Sequence, residues 1–283
     1  MAEIKATEVK RLRDRTGAGM MDCKKALTEA DGDFAKAEKI LKELGLAAAA
    51  KRGGRATKEG RIFTKIASTR AGILELACET DFVARNTDFV KLGDSALEYI
   101  IASNIAELDE KIETMVQEAA GTIKENMRVR RFTTMAIGAN DCVVEYLHGD
   151  TGSIGVLVKI TADSPAVAGH DAVKKFAFDC ALHVAAFNPS YLTPDAVPAE
   201  YVAEQESIFA TQAKNMDKPE NVIQGIVKGK LKKHLAEICL IEQPFVKDEK
   251  KSVGQVATAV GTEAGGTISV TDFLYFRVGE DEV

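Results

Sequence analysis

Five cysteines and four histidines are the residues best suited to nucleophilic or metal chemistry in this 283-residue sequence, and their spacing argues against both. Cys23, Cys78, Cys142, Cys180 and Cys239 are far apart and odd in number, so they read as reduced thiols and not as a disulfide framework. His148, His170, His183 and His234 share no short spacing with one another, and no Cys-x-x-Cys pair occurs, which excludes a zinc ribbon or a His-Glu-x-x-His helix. Cys78 or Cys180 with His183 is the nucleophile arrangement that remains, against the plainer reading of lone thiols packed on apolar faces. The sequence has no Gly-x-x-x-x-Gly-Lys-Ser/Thr loop, no Gly-x-Gly-x-x-Gly turn and no Gly-x-Ser-x-Gly elbow, so the common phosphate cradles and the hydrolase nucleophile are missing. No cofactor, no metal and no covalent chemistry are expected.

Charge points to surfaces instead. The net charge is −6, yet residues 1–65 carry 16 Lys+Arg against 10 Asp+Glu, leaving 21 against 33 beyond them. A basic head on an acidic body suits an RNA phosphate backbone or an acidic protein face. An ordinary solvated surface is the simpler account, because the first hundred residues hold only five aromatics for base stacking. With 46% apolar and 28% charged residues the chain is long enough for two or more packed units. The start, Met1-Ala2-Glu3-Ile4-Lys5, lacks the apolar run of a secretory signal, and Leu44–Ala50 is too short to span a bilayer, so a cytoplasmic protein without membrane contact is expected.

The elements that must carry these surfaces follow from periodicity. Residues 1–46 are expected to form a three-helix module. Its apolar positions are 4, 9 and 12, then Met20, Cys23, Ala26, Leu27 and Ala30, then Phe34, Ala37, Ile40, Leu41 and Leu44, with an end at Gly45. Residues 47–60 read as a basic, Gly-containing linker. A core subdomain over 61–140 opens with strands at Arg61–Ile66 and Gly72–Cys78, continues into helices around residues 92–101 and 105–127, and closes on a strand at Arg130–Met135. Residues 141–198 begin a second core subdomain with the same order, from Gly155–Ile160 into a helix through Val173–Val184. Gly72 aligns with Gly155 at an offset of 83 and Asp94 with Asp179 at 85, which suggests an internal duplication, against chance likeness of two α+β segments. Residues 199–235 read as an antiparallel helical hairpin, with Val202, Phe209 and Met216 every seven and Ile223, Val227, Leu231 and Leu235 every four, turning at Asp217-Lys218-Pro219. Each arm of about 18 residues would reach roughly 27 Å. Residues 236–283 supply returning strands at Ala236–Ile241, Pro244–Val246 and Ile268–Val278, then a short C-terminus. The fold class is therefore α+β with antiparallel sheets.

The most informative stretch is Val9-Lys10-Arg11-Leu12-Arg13-Asp14-Arg15-Thr16-Gly17-Ala18-Gly19-Met20-Met21-Asp22-Cys23-Lys24-Lys25-Ala26-Leu27. It closely resembles the N-terminal signature of the bacterial translation elongation factor Ts family. Glu79-Thr80-Asp81-Phe82-Val83-Ala84-Arg85, Ile154-Gly155-Val156-Leu157-Val158, His183-Val184-Ala185-Ala186 and Gln243-Pro244-Phe245-Val246 match further family motifs in the same order. The first match is long and specific. Thr-Asp-Phe is not, since it occurs at 80, 87 and 271.

The resemblance implies a guanine-nucleotide exchange factor for the GTPase elongation factor Tu, built from a ubiquitin-associated-like module, two related α+β subdomains and a protruding coiled coil. It implies partner contacts at Asp81 and Phe82, flanked by Thr80 and Val83, near the GTPase magnesium and switch region. It implies docking of the N-terminal module through Arg13, Met20, Met21 and Lys24, and core contacts at Ile154, Gly155, His183 and Val246. The residues themselves leave other roles open: Phe82 as a hydrophobic staple, Lys24 as a solvated charge, His183 as a satisfied helix-face ring. Met20 and Met21 are adjacent, so at least one is expected at the surface. No direct nucleic acid contact is expected, although an RNA-binding or ribosome-associated adaptor is the competing reading. The core or the hairpin also offers a surface for a dimer or a 2:2 complex. Family members commonly continue past the strand matching Phe273–Val278 into an acidic linker and a final helix, a contact not carried over to a sequence that stops at Val283.

Overall fold

The computed structural model describes residues 4–214 and 219–280. At the N-terminus α1 (Ala6–Thr16), α2 (Met20–Glu29) and α3 (Phe34–Arg52) enclose Val9, Leu12, Cys23, Ala26, Leu27, Ala37 and Leu41. Gly17 ends α1 at φ +67, where its N–H bonds the Arg13 carbonyl at 2.8 Å, and Asp33 caps α3 by accepting the Lys36 N–H at 3.1 Å.

Gly45 does not end α3, as the sequence reading expected. A Cβ on Gly45 would stand 3.4 Å from the Gly121 Cα, and one on Gly121 3.0 Å from the Gly45 carbonyl carbon. The glycine serves close helix–helix approach, and the alanines after it favour helix. The helix therefore runs on to Arg52, into the expected linker, which shrinks to residues 53–58.

Two similar units follow. The first contains β1 (Glu59–Ile66), β2 (Arg70–Cys78), the short α4 (Asp81–Ala84), α5 (Thr87–Ser103), α6 (Glu110–Ile123) and β3 (Arg128–Ala136), with an antiparallel sheet ordered β1-β2-β3. The second contains β4 (Asp141–His148), β5 (Ile154–Ala162), the short α7 (Pro165–Ala168) and α8 (Asp171–Phe187). After a long insertion it closes with α11 (Val253–Glu263) and β8 (Ile268–Arg277), giving a sheet ordered β4-β5-β8. The insertion holds the helices α9 (Ala199–Lys214) and α10 (Glu220–Ile238) and the small ribbon β6 (Pro244–Phe245) and β7 (Asp248–Ser252).

The duplication is closer than the sequence offsets of 83 and 85 suggested. From β2 onward a single step of 84 residues relates the units: Arg70 to Ile154, Asp81 to Pro165, Thr87 to Asp171, and the left-handed caps Asn104 to Asn188. The bulge between Glu75 and Leu76 recurs between Lys159 and Ile160. Gly72 therefore corresponds to Val156, and Gly155 to Ala71.

Each sheet buries one face under its own helices, Phe63, Leu74, Leu76 and Phe89 in the first unit, Val156, Val158, Phe176 and Val184 in the second. The opposite faces meet through Ile62, Ala71, Ile73, Met135, Leu157 and Phe276. A Cβ on Gly155 would lie 2.3 Å from Ile62 Cγ2, so only glycine admits this contact. Beside it the fully buried Glu75 accepts from Arg131 Nε at 2.8 Å and from the Gly279 N–H at 2.9 Å, while the Arg131 guanidinium lies 4.2 Å from the Phe276 ring.

The hairpin arms pair through Tyr201 Oη and His234 Nε2 at 2.8 Å and through Lys230 Nζ and Gln212 Oε1 at 2.8 Å. No residue of α10 is fully buried, so the stripes of the two arms only half-cover each other. Met216, Asp217 and Lys218 of the expected turn lie outside the described residues. The expected strand at Ala236–Ile241 is instead the end of α10 and a 3-10 turn at Leu240–Glu242, tied to Tyr191 and Leu192 by backbone bonds of 2.8 and 3.1 Å. Among the described residues no helix is long and apolar enough to cross a membrane.

Candidate functional site

The four-residue helix α4 stands at the corner where β2 leaves its sheet. Thr80 caps it, its hydroxyl accepting the Val83 N–H at 3.4 Å. Val83 and Ala84 turn into the first core, while Asp81 and Phe82 face outward. Phe82 is 81% exposed. It is not a hydrophobic staple, since a staple must pack on its own helix. In the second unit Ser164, Pro165, Ala166 and Val167 take the same places, Ser164 capping Val167 at 3.4 Å. The fold thus builds this corner without an exposed aromatic, and packing does not account for Phe82.

The corner is braced from a segment 45 residues away in sequence. Glu125 Oε2 accepts the N–H groups of Glu79 and Thr80 at 3.1 Å each, and Oε1 accepts the Thr80 hydroxyl at 2.6 Å. Glu79 Oε1 accepts the Asn126 N–H at 2.6 Å, and the Asn126 side-chain amide donates to the carbonyls of Gly53 and Arg55 at 3.2 and 2.7 Å. Lys124, adjacent to Glu125, reaches Asp22 of α2 at 3.4 Å. One short segment therefore joins the N-terminal module, the segment after α3 and the α4 corner. Nothing local in the sequence marks Glu79, Glu125 or Asn126, because each closes onto a distant turn.

On α2, Met20 and Met21 are both well exposed, with Lys24 exposed one turn on; Arg13 is exposed on α1. A cleft of about 600 Å³ lies beside the contact of α3 with α6, and ion pairs and a hydrogen bond cross it or flank it, Lys42 with Glu118, Lys124 with Asp22 and Arg52 with the Ala120 carbonyl.

The second-unit candidates are mostly internal. Gly155 is buried at the junction of the sheets, Ile154 is buried in the helix-covered core of the second unit, and His183 is fully buried. Expected as direct contacts, they present little or no side-chain surface in the free chain. His183 Nδ1 accepts the Val246 N–H at 3.2 Å, which leaves the ring proton on Nε2, donated to Gln243 Oε1 at 2.9 Å. Burial pushes the imidazole pKa down, opposed by the bond to Gln243. Val246 is 36% exposed, and the neighbouring Phe187, unmarked by any motif, is 54% exposed with its ring 4.7 Å from His183.

The thiols are not activated. Burial, then the charge of Glu125, pushes Cys78 up to about 12, and its Sγ donates to the Thr80 carbonyl at 3.2 Å. Burial also raises Cys180, and both nitrogens of His183 are engaged, so the Cys–His nucleophile does not form. No cluster of three or more His, Cys, Asp or Glu suited to a metal occurs among the described residues.

The chain matches the family described as Elongation factor TS over residues 79–280. It is 45% identical over 277 residues to Elongation factor Ts of Treponema denticola, covering 98% of this chain and 99% of that protein. It is 48% identical over 276 residues to Elongation factor Ts of Borrelia recurrentis, with 98% and 99% covered. Elongation factor Ts of Borreliella burgdorferi is 44% identical over 279 residues, with 99% and 100% covered.

Proposed function

The chain belongs to the elongation factor Ts family, whose role is nucleotide exchange on elongation factor Tu, and we propose that it does this by driving Phe82 and Asp81 toward the magnesium and phosphate site of that GTPase. The observation that carries the reading is a braced, 81% exposed Phe82 where the duplicated unit has Ala166.

The energetics are those of reciprocal coupling. A factor that binds the nucleotide-free partner more tightly than the GDP-bound one weakens GDP binding by the same factor. A thousandfold faster release needs roughly 4 kcal/mol at about 1.4 kcal/mol per tenfold. A phenyl ring moved from water into a partner groove supplies about 1.5–3 kcal/mol, and disturbed magnesium coordination supplies the remainder. Phe82 brings displacing bulk and Asp81 a negative charge beside the cation. Thr80 and Val83 anchor the turn from within.

The exposed pair Met20 and Met21, with Lys24 and Arg13, forms the docking face of the N-terminal module, methionine being suited to an adaptable groove. Val246 is the surface point of the second unit, held from beneath by His183, while Gly155 lets the two sheets approach and Ile154 packs within the second core. The step involves no covalent chemistry, and the protein works in the cytoplasm.

Stopped-flow release of a fluorescent GDP analogue from purified elongation factor Tu tests this reading. Addition of the chain is expected to accelerate release, and an unchanged rate refutes it. Steep salt dependence with retained RNA, and no captured GTPase, would favour an RNA adaptor instead.

A further inference from the structure

We propose that Glu125 is the positioning residue of the exchange element, its carboxylate fixing the α4 corner in the orientation that presents Asp81 and Phe82. The proposal rests on the exchange-factor reading above and deepens it.

A helix of four residues has no stability of its own, since nucleation costs more than one turn returns. Its orientation must come from outside. Val83 and Ala84 hold it from below, and the three bonds from Glu125 hold its entry, engaging two successive backbone N–H groups and the capping hydroxyl of Thr80. Glu125 is itself fixed on both sides. Lys124 turns the chain out of α6 at φ +70, and Asn126 is bonded to Glu79, Gly53 and Arg55. Charge-assisted bonds of this kind are stronger than neutral ones, so the carboxylate is a stiff brace.

The duplicated unit separates what the fold needs from what the brace adds. Glu79 corresponds to Asp163, and both carboxylates accept the backbone N–H just before the closing strand, from Asn126 at 2.6 Å and from Thr267 at 2.7 Å. Thr80 and Ser164 cap alike. The residue before Thr267, however, is Gly266, where a Cβ would stand 2.6 Å from Asp163 Oδ1, so no counterpart of Glu125 fits. The second corner closes without the brace and carries Pro165 and Ala166. The brace occurs where an aromatic must be held out in water, which makes orientation of Phe82 its role.

The test is a double-variant cycle on GDP release at saturating factor, with the full chain. Glu125→Ala is expected to slow stimulated release about 10-fold, because a small misplacement of an acting group is enough for that. Glu125→Gln keeps a carbonyl oxygen for the two N–H groups and is expected to stay within about 3-fold of the parent. On a Phe82→Ala background, Glu125→Ala is expected to change little further, since the ring it orients is gone. Full activity of Glu125→Ala beside an active parent overturns this proposal alone, as does a double variant whose losses multiply. An inactive parent overturns the exchange reading and this proposal with it. If circular dichroism shows that Glu125→Ala does not fold, Thr80→Val, which removes the braced hydroxyl, enters the same cycle with the same two deciding outcomes.

Discussion

Replacing Phe82 by alanine removes a ring that the isolated protein leaves 81% exposed, so its effects on stability and on exchange must separate. In the free chain the substitution strips a side chain that packs on little, and stability should stay within about 0.5 kcal/mol of the parent. In the complex the same ring would leave water. Full burial of a Phe side chain contributes about 1.5–3 kcal/mol, and taking roughly four-fifths of that, as the exposure allows, leaves about 1.2–2.4 kcal/mol. Expressed only at the point where GDP leaves, this is roughly a 10- to 50-fold loss in stimulated release. The assay is stopped-flow release of a fluorescent GDP analogue from elongation factor Tu across factor concentrations, beside a urea melt of each variant. Ala166→Ser, at the matching position of the second unit, is the control and should change neither quantity. Retained exchange activity in Phe82→Ala would remove the ring from the mechanism, and a large loss of stability would show that the ring packs in solution.

Gly155→Ala places a Cβ 2.3 Å from Ile62 Cγ2 at the meeting of the sheets and should destabilise the chain by about 1–3 kcal/mol in a urea melt; parent-like stability would mean that the sheets do not meet there. His183 has its folded pKa below the unfolded value of about 6.5. Its neutral form therefore contributes stability above that pH, and the contribution should be lost progressively as pH falls below about 6.5. A His183→Gln variant measured from pH 5 to 8 should lose that part of the pH dependence; the same slope in both would discount the ring. Met20→Ser with Met21→Ser should leave the melting curve unchanged and weaken capture of the GTPase about 10-fold or more, measured by titration calorimetry.

Element types were largely legible in the sequence where one face is apolar and the period is clear, as in α1, α2, α5 and β8. The errors fall where tertiary contact changes what a residue is for. Gly45 looks like a stop until Gly121 is seen across from it. Ala236–Ile241 looks like a strand because Ile238, Leu240 and Ile241 are β-formers, yet the segment is the end of α10 and a turn that pairs with Tyr191 and Leu192. The helix α11 and the strand β4 went unread. Glycine, threonine and valine weaken the helical signal over Val253–Glu263, and β4 alternates only partly. The α4 corner was marked by its motif, but its brace was invisible, since 45 residues separate Thr80 from Glu125.

Taken alone, the amino-acid order determined the family to which its motifs point and the local elements set by side-chain period. Those properties depend on residue type and short-range spacing. Which of the marked residues stand at the surface was decided only by the tertiary structure: Phe82, Met20, Met21 and Val246 outside, His183, Ile154 and Gly155 within. Exposure is a property of what packs against a residue, and the partners come from far along the chain: Gln243 and Val246 reach His183 as the insertion returns to α8, and Glu125 reaches Thr80 as β3 pairs with β2.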